Sequence, residues 1–173
     1  MEQLIMRRKK GKAVPPDWGA LVCRAFNGSD TDINAWLDIV AEGLTGSRQD
    51  SAFFRECMFS HGELEYDKFF IIECEGVPAA TFAVICDHKK REGYVHMVAC
   101  KPEFRGRGIG TKMALHAAAV LDSSGMETAY LTTDDFRLAA IRTYLRAGFV
   151  PDMKDAEHRL RWEKILDALE VTK

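Results

Sequence analysis

The sequence lacks the features that mark several large classes of protein. Its formal net charge is only −2 over 173 residues, so it offers no broad positive field that would neutralise the phosphates of duplex nucleic acid. No apolar run reaches the length of about 18 residues that a membrane-spanning helix requires. We therefore expect neither a nucleic-acid partner nor a membrane span.

Cysteine is sparse and follows no recognisable pattern. The number of cysteines is odd and no CxxC motif occurs, so the sequence gives no sign of a disulfide framework or of a zinc site built on thiolates. We predict buried, reduced thiols and a reducing, cytoplasmic location. The five cysteines are Cys23, Cys57, Cys74, Cys86 and Cys100.

Two prolines separate a short basic segment from the rest of the chain. We interpret residues 1–16 as a solvated basic leader, because the apolar stretch Leu4–Met6 is too short for the core of a signal peptide. The remainder, residues 17–173, contains neither an internal repeat nor a linker. We predict that it forms a single domain with its own core.

Hydrophobic periodicity predicts a chain in which strands dominate early and strands alternate with helices later. Strands are predicted over residues 20–26, 69–74, 79–86, 94–100 and 128–133. Helices are predicted over residues 33–44, 50–59, 111–121, 136–147 and 157–169, and a short return segment begins at Gly148.

The connections between these elements predict the topology. Short turns join three successive strands between residues 69 and 100, which indicates an antiparallel meander. The strand–helix–strand passage from Tyr94 to Thr133 requires a right-handed crossover between parallel strands. The predicted fold class is therefore α/β (α+β), with a mixed, mostly antiparallel central sheet of about six to seven strands and helices on both faces.

The segment Lys101–Thr111, KPEFRGRGIGT, joins a strand to a helix and has the chemistry of a phosphate cradle. Its three glycines let the backbone approach a ligand closely. Main-chain N–H groups converge at the start of the following helix, where the helix dipole favours an anion. Arg105 and Arg107 add positive charge beside them.

Two familiar phosphate-binding motifs do not fit this segment. A P-loop requires GxxxxGK[ST], whereas Gly110 is followed by Thr111 and Lys112 in the wrong order. A dinucleotide-binding fingerprint, GxGxxG, needs its third glycine one residue later than Gly110. It also opens a repeated βαβ unit, whereas this segment follows an antiparallel meander.

Two motifs taken together match a known family. RxxGxG, starting at Arg105, resembles the acetyl-CoA signature of the GCN5-related N-acetyltransferase (GNAT) superfamily. AIxxYxxxGF, starting at Ala140, resembles the second conserved region of that superfamily, and the resemblance covers roughly residues 69–150. It implies a GNAT-like acyltransferase fold and direct transfer of an acetyl group from acetyl-CoA, the cosubstrate, to a primary amine, without a metal.

The resemblance also implies which residues hold acetyl-CoA. The cradle would hold the pyrophosphate, and the pantetheine arm would lie where the strands 94–100 and 128–133 splay apart. Arg137 stands where the family often has asparagine, and its partner could be a phosphate of CoA, Asp134 or Asp135. The implied cofactor-binding residues are Val98, Ala99, Cys100, Arg105, Gly106, Arg107, Gly108, Ile109, Gly110, Thr111, Arg137, Ala140 and Tyr144.

The chemistry requires an oxyanion donor, a proton donor and a general base. By resemblance, the main-chain N–H of Val98 stabilises the oxyanion, and Tyr144 protonates the thiolate leaving group. A tyrosine on an amphipathic helix is otherwise read as a core residue. The general base is open: His96 titrates in a useful range but could equally be a packed strand histidine, Glu92 could act through water, and an amine of lowered pKa needs no dedicated base.

Other readings remain open at this point. The domain could bind acyl-CoA as a sensor or interaction module without turnover. A covalent step on Cys100 has no histidine placed by the sequence to activate it, and the spacing of Asp87, His88 and His96 fits no standard metal site.

The acceptor is not specified by the sequence. A weak acidic excess over residues 44–67 would suit a cationic amine, although a solvated surface explains it equally well. A small-molecule acceptor and a homodimer are expectations at the level of the family.

Overall fold

A seven-stranded sheet runs through the computed structural model, which describes residues 2–171. Met1, Thr172 and Lys173, which the predicted leader and domain include, lie outside the described residues. The strands are β1 (Leu4–Lys9), β2 (Leu21–Ala25), β3 (Phe69–Cys74), β4 (Val77–Asp87), β5 (Glu92–Cys100), β6 (Thr128–Thr133) and β7 (Val150–Pro151). The helices are α1 (Asp30–Val40), α2 (Ser51–Phe59), α3 (Ile109–Ser123), α4 (Leu138–Arg146) and α5 (Ala156–Val171).

The strand order is β2-β3-β4-β5-β6-β1-β7. Strands β3 to β5 form the predicted antiparallel meander, and β2 pairs antiparallel with β3. β5 pairs in parallel with β6 across the crossover helix α3. The two strands at the other side, β1 and β7, are antiparallel to their neighbours. The prediction of a mixed, mostly antiparallel sheet is confirmed.

Alternating residues of β3 show that helices cover both faces of the sheet. Phe69 and Ile71 belong to one buried cluster, which includes Trp36 of α1 and Phe54 of α2. Phe70 and Ile72 belong to a second cluster, to which α3, α4 and α5 contribute. Because successive side chains of a strand point to opposite faces, this apolar run is buried on both sides, as is typical of a central strand.

The interpretation of residues 1–16 as a solvated leader is wrong for Leu4–Lys9. This segment is the strand β1, which lies between β6 and β7. Leu4 and Met6 are fully buried, and Arg8, on the same face, is also buried. The basic residues hid the alternation that marks a half-buried strand, because one of them is itself an inward-facing residue.

The buried Arg8 is held by an ion pair with Asp122 of α3. Its two terminal nitrogens donate to the two carboxylate oxygens of Asp122 at 2.7 and 2.8 Å, and its Nε donates to the carbonyl of Ala147 at 3.1 Å. The main-chain N–H groups of Gly11 and Ala13 also donate to this carboxylate. These partners satisfy the charge and the hydrogen bonding of both groups, which a buried ion pair requires.

The helices differ from the predictions mainly at their ends. α1 begins before Ile33 because Ser29 caps it, its hydroxyl accepting from the N–H of Asp32 at 3.2 Å. After Val40 the chain continues as a π-helical turn, Ala41–Thr45, which ends at Gly46 in the left-handed region. None of the helices described within residues 2–171 has both the length and the apolar character to cross a membrane.

We expect the substitution Asp122→Asn to lower the free energy of unfolding by about 3 kcal/mol, because it leaves the Arg8 guanidinium buried without a counter-charge. Arg8 also holds the pKa of Asp122 well below its usual range. The carboxylate therefore stabilises the fold fully above the unfolded pKa of about 3.9, and the contribution is lost as the pH falls towards the folded pKa. Urea denaturation should show that the difference in the free energy of unfolding between the wild type and Asp122→Asn becomes smaller as the pH falls from neutral to pH ~3.

Asp152→Asn is the matched control, because it removes an ion pair from the same strand at a more exposed position. Arg7 Nε donates to Asp152 at 2.6 Å, and the Arg7 side chain is half exposed. This change should cost less than about 1 kcal/mol. Equal losses for the two variants would contradict the structural role of the buried pair.

Candidate functional site

The two parallel strands β5 and β6 pair only along their first halves. Their pairing ends where Val95 lies opposite Leu131, although β5 continues to Cys100 and β6 to Thr133. The space where they separate is part of a cavity of about 1070 Å³. This volume lies at the upper end of the range for small-molecule sites, and the predicted divergence of the two strands is confirmed.

A β-bulge in β5 redirects the side chains along the cavity. The pairing with β4 leaves two residues of β5, Met97 and Val98, opposite the single residue Phe82, and Met97 has a positive φ of 50°. Before the bulge, His96 points towards α2. After it, Val98 packs against the cluster on the α3 side. The bulge also interrupts the ladder between β4 and β5 at Val98, the predicted oxyanion donor.

The predicted phosphate cradle lies at the start of α3 and lines the same cavity. Gly106 and Gly108 have φ values of 77° and 76°, which residues with a side chain rarely adopt. No described side chain caps this end of α3. The first main-chain N–H groups of the helix, from Ile109 onwards, are therefore available to an anion.

The two arginines of the cradle have different positions. Arg105 lines the cavity, and its guanidinium donates to the carbonyls of Cys100 and Gly43 at 3.3 and 3.4 Å. Arg107, predicted to bind the cofactor, does not line the cavity. Its Nη1 donates to the sulfur of Cys74 at 3.4 Å, and its guanidinium lies 5.4 Å from the centre of the Phe104 ring. Its side chain is therefore turned away from the cradle.

The π-helical turn after α1 closes against the end of β5. A Cβ atom on Gly43 would lie 2.8 Å from the oxygen and 2.9 Å from the nitrogen of Cys100, so only glycine allows this approach. Glu42 lies 3.5 Å from Lys101, the residue after β5. These contacts fix one wall of the cavity beside the carbonyl that Arg105 contacts.

Tyr144 lies on α4 with its side chain almost fully buried and lines the cavity. Burial raises the pKa of its phenol to about 12, so the hydroxyl is protonated throughout the physiological range. Ala140, one turn earlier, lines the same cavity. No hydrogen bond joins the Tyr144 hydroxyl to another residue of the described part of the chain, which leaves it available to a bound molecule.

Arg137 lies at the start of α4 and pairs with Asp134, one of the three partners considered for it. Its Nε donates to the carboxylate of Asp134 at 2.9 Å, and its guanidinium lies 5.4 Å from the ring centre of Phe136, which is 78% exposed. All three residues line the cavity. Asp135 instead accepts from Arg161 of α5.

His96 is a buried histidine with a satisfied nitrogen. Its Nε2 lies 3.0 Å from the main-chain oxygen of Cys57 in α2, so Nε2 carries the proton and the lone pair is on Nδ1. Burial, together with the nearby His61, lowers the pKa of His96 to about 4. A histidine in this state lines the cavity but holds a proton only weakly at neutral pH.

Most of the other residues predicted for the site line the cavity, and some do not. Cys100 lines the cavity, but burial raises the pKa of its thiol, and its sulfur contacts the carbonyl of Lys101 rather than a base. The acidic residues of the segment 44–67 do not line the cavity. All the predicted cofactor-binding residues except Arg107 line it.

A group of possible metal ligands lies outside the cavity lining. The side chains of Glu65, Cys86 and His88 bring their ligand atoms within 4.8 Å of one another. Lys68 donates to Glu65 at 2.5 Å, and burial raises the pKa of the Cys86 thiol. An ammonium group beside the carboxylate and a protonated thiol both disfavour a bound cation.

Among the residues that line the cavity but were not predicted as site residues are Gly43, His61 and Phe136. His61 follows α2 in a loop, and its ring centre is 4.8 Å from that of His96 and 5.1 Å from that of Tyr94. No sequence motif marks Gly43 or His61, because each reaches the cavity through packing between elements distant in sequence. Phe136 precedes the predicted Arg137 but belongs to neither motif.

Comparison with known proteins gives a consistent result. The family model for the acetyltransferase (GNAT) family matches residues 33–149. An uncharacterized N-acetyltransferase of Methanocaldococcus jannaschii is 32% identical over 88 residues, which cover 48% of this chain and 39% of that protein. The mycothiol acetyltransferase of Streptomyces coelicolor is 29% identical over 131 residues, which cover 74% of this chain and 42% of that protein. The chain thus spans about two-fifths of the length of these curated relatives.

The fold resembles that of solved GCN5-related N-acetyltransferases. A GCN5-related N-acetyltransferase from Sphaerobacter thermophilus superposes with a TM-score of 0.70 at 18% sequence identity. The match covers 87% of this chain and 48% of that chain. At this identity the likeness establishes the architecture, and it agrees with the GNAT-like fold predicted from the two motifs.

We expect Gly43→Ala to destabilise the fold by about 1–3 kcal/mol, because the new methyl group meets the main chain of Cys100, which cannot move without distorting β5. Gly110→Ala is the control, since its Cβ would find no atom closer than 3.7 Å. Urea denaturation of both variants tests the prediction. It would be contradicted if the two variants were equally stable.

Proposed function

Because the chain belongs to the acetyltransferase (GNAT) family, we propose that it transfers an acetyl group from acetyl-CoA directly to a primary amine, the acceptor being a small molecule. The observation that carries this proposal is one continuous cavity. It is lined by the uncapped start of α3, by the diverging end of β5 and by the buried Tyr144.

Each part of the cavity suits one part of acetyl-CoA. The pyrophosphate would accept hydrogen bonds from the main chain at residues 106–111, where the glycines allow close approach. The pantetheine amides would pair with the edge of β5 from Val98 to Cys100, which β6 leaves unpaired. Arg105 lines the cavity beside this edge and would add positive charge near the phosphates.

The proposed chemistry takes place at the thioester of the bound acetyl-CoA. The free amine attacks the carbonyl carbon, and the N–H of Val98 would stabilise the negative charge that develops on the oxygen. The carbon–sulfur bond then breaks, and Tyr144 would supply the proton that the thiolate needs. The burial that raises the pKa of the phenol also raises that of a thiol in the same cavity, which favours transfer of the proton to sulfur.

The five free thiols support a reducing location such as the cytoplasm.

The direct test of the proposed function is release of free CoA when the protein is incubated with acetyl-CoA and a panel of amines. The panel should contain diamines, amino sugars, arylalkylamines and peptides with a free N-terminus. Tight binding of acetyl-CoA without turnover of any amine would instead favour the sensor alternative.

We expect Tyr144→Phe to lower kcat about 100-fold or more with every accepted amine, because the thiolate loses its proton donor. The dissociation constant of CoA should change little, since the ring that packs in the cavity is retained. Tyr130→Phe is the matched control: Tyr130 stacks on Tyr94 but does not line the cavity. Stopped assays of CoA release and calorimetric titration with CoA measure the two quantities. An unchanged kcat in Tyr144→Phe would reject the assigned role.

A further inference from the structure

The proposed function leaves the proton of the acceptor amine without a defined destination. An alkylamine is mostly protonated at neutral pH, so a group near the acceptor must remove a proton before the nitrogen can attack. The cavity contains several titratable side chains, and their partners separate those that are free to accept a proton from those that are not. The inference below depends on the proposed function, since it assigns a residue to that reaction.

The two carboxylates that line the cavity, those of Glu42 and Asp134, are already paired with cations. Glu42 lies 3.5 Å from the ammonium of Lys101. Asp134 pairs with Arg137 at 2.9 Å and also accepts from the side chain of Gln3 at 3.2 Å. Protonating either group would break an ion pair, so neither is a good proton acceptor.

His96, the candidate taken from the sequence, is also poorly suited. It is buried, and its Nε2–H is committed to the carbonyl of Cys57. A proton on Nδ1 would charge the His96 ring in an environment that disfavours the charged form, chiefly because the ring is buried. The side chain therefore resembles a packed histidine that holds its neighbours in place.

His61 combines the properties that the other groups lack. Its side chain is exposed, yet it lines the cavity beside Tyr94 and His96, the two residues of β5 that face α2. No hydrogen bond or ion pair links its ring to another residue in the described part of the chain. The titratable groups whose rings lie against it are His96 and Tyr94 of β5. The next residue, Gly62, faces the apolar Ile85 of β4.

We propose that His61 is the base that deprotonates the acceptor amine. The bound ammonium gives one proton to the neutral imidazole of His61, which passes it to solvent. The free amine then forms the carbon–nitrogen bond as the carbon–sulfur bond breaks. The thiolate takes a proton from Tyr144, and the second proton lost by the nitrogen restores the phenol. The sum is one amide, one CoA thiol and one released proton for each ammonium and acetyl-CoA consumed.

This arrangement places the acid and the base of the reaction on different elements. Tyr144 on α4 is buried and keeps its proton until a thiolate forms beside it. His61 in the loop after α2 is in contact with solvent, so it can discharge its proton between turnovers. The difference in exposure fits the two tasks, because only the base has to exchange a proton with water in each cycle.

The test is the pH dependence of His61→Gln, with an amine that the wild-type protein accepts. We expect kcat/KM near pH 6.5 to fall about 100-fold and the deficit to shrink as the pH rises, because more of the amine is then free without a base. Added imidazole should restore part of the rate at low pH. The dissociation constant of CoA and the thermal unfolding midpoint should stay close to wild type, since the side chain is exposed.

His88→Gln is the matched control, because His88 is an exposed histidine that does not line the cavity. Its profile should follow the wild type. If wild-type protein releases CoA but His61→Gln keeps the wild-type profile, or loses activity equally at all pH values without rescue by imidazole, the inference is wrong. Absence of turnover in the wild type with every amine would reject the proposed function instead, so the two failures are distinguishable.

Discussion

The separation of β5 from β6 is the constraint on which the rest of the site depends. Main-chain N–H and C=O groups in the middle of a sheet are normally paired, and leaving them buried without partners is costly. Beyond Val95 the edge of β5 that faces β6 has no strand beside it, although β4 still pairs with its other edge. A cavity at this point offers a ready-made row of donors and acceptors, and an extended chain with amide groups is the kind of molecule that complements it.

The two ends of the cavity have different electrostatic character. At the α3 end, the uncapped main-chain N–H groups and the guanidinium of Arg105 present positive potential. At the end where α4 begins, Asp134 is compensated by Arg137. Glu42, which lies beside the carbonyls that Arg105 contacts, is compensated by Lys101. In the proposed function, the phosphates of the cosubstrate would bind at the α3 end, where this positive potential lies.

The sequence predicted those parts of the molecule that local signals encode. β3 and β6 were predicted with their observed bounds, because runs of β-branched and aromatic residues stand between clear turns. The cradle followed from glycine spacing and from its place between a strand and a helix. β1 was missed because its strand pattern is short and its inward-facing Arg8 looked like surface charge. Arg107, Gly43 and His61 could not be placed, since their positions depend on which elements pack together rather than on neighbouring residues.

The N-terminal strand connects the stability of the fold to the geometry of the site. β1 pairs with β6 along its whole length, and its Arg8 is bonded to Asp122 near the end of α3. The start of the same helix forms the predicted cradle, so the buried ion pair fixes the far end of the element that, in the proposed function, would present its first N–H groups to a phosphate. Gln3, just before β1, lines the cavity and donates to Asp134. A segment that resembles a solvated leader in composition therefore contacts both the cradle helix, through Arg8 of β1, and the residues before α4, through Gln3.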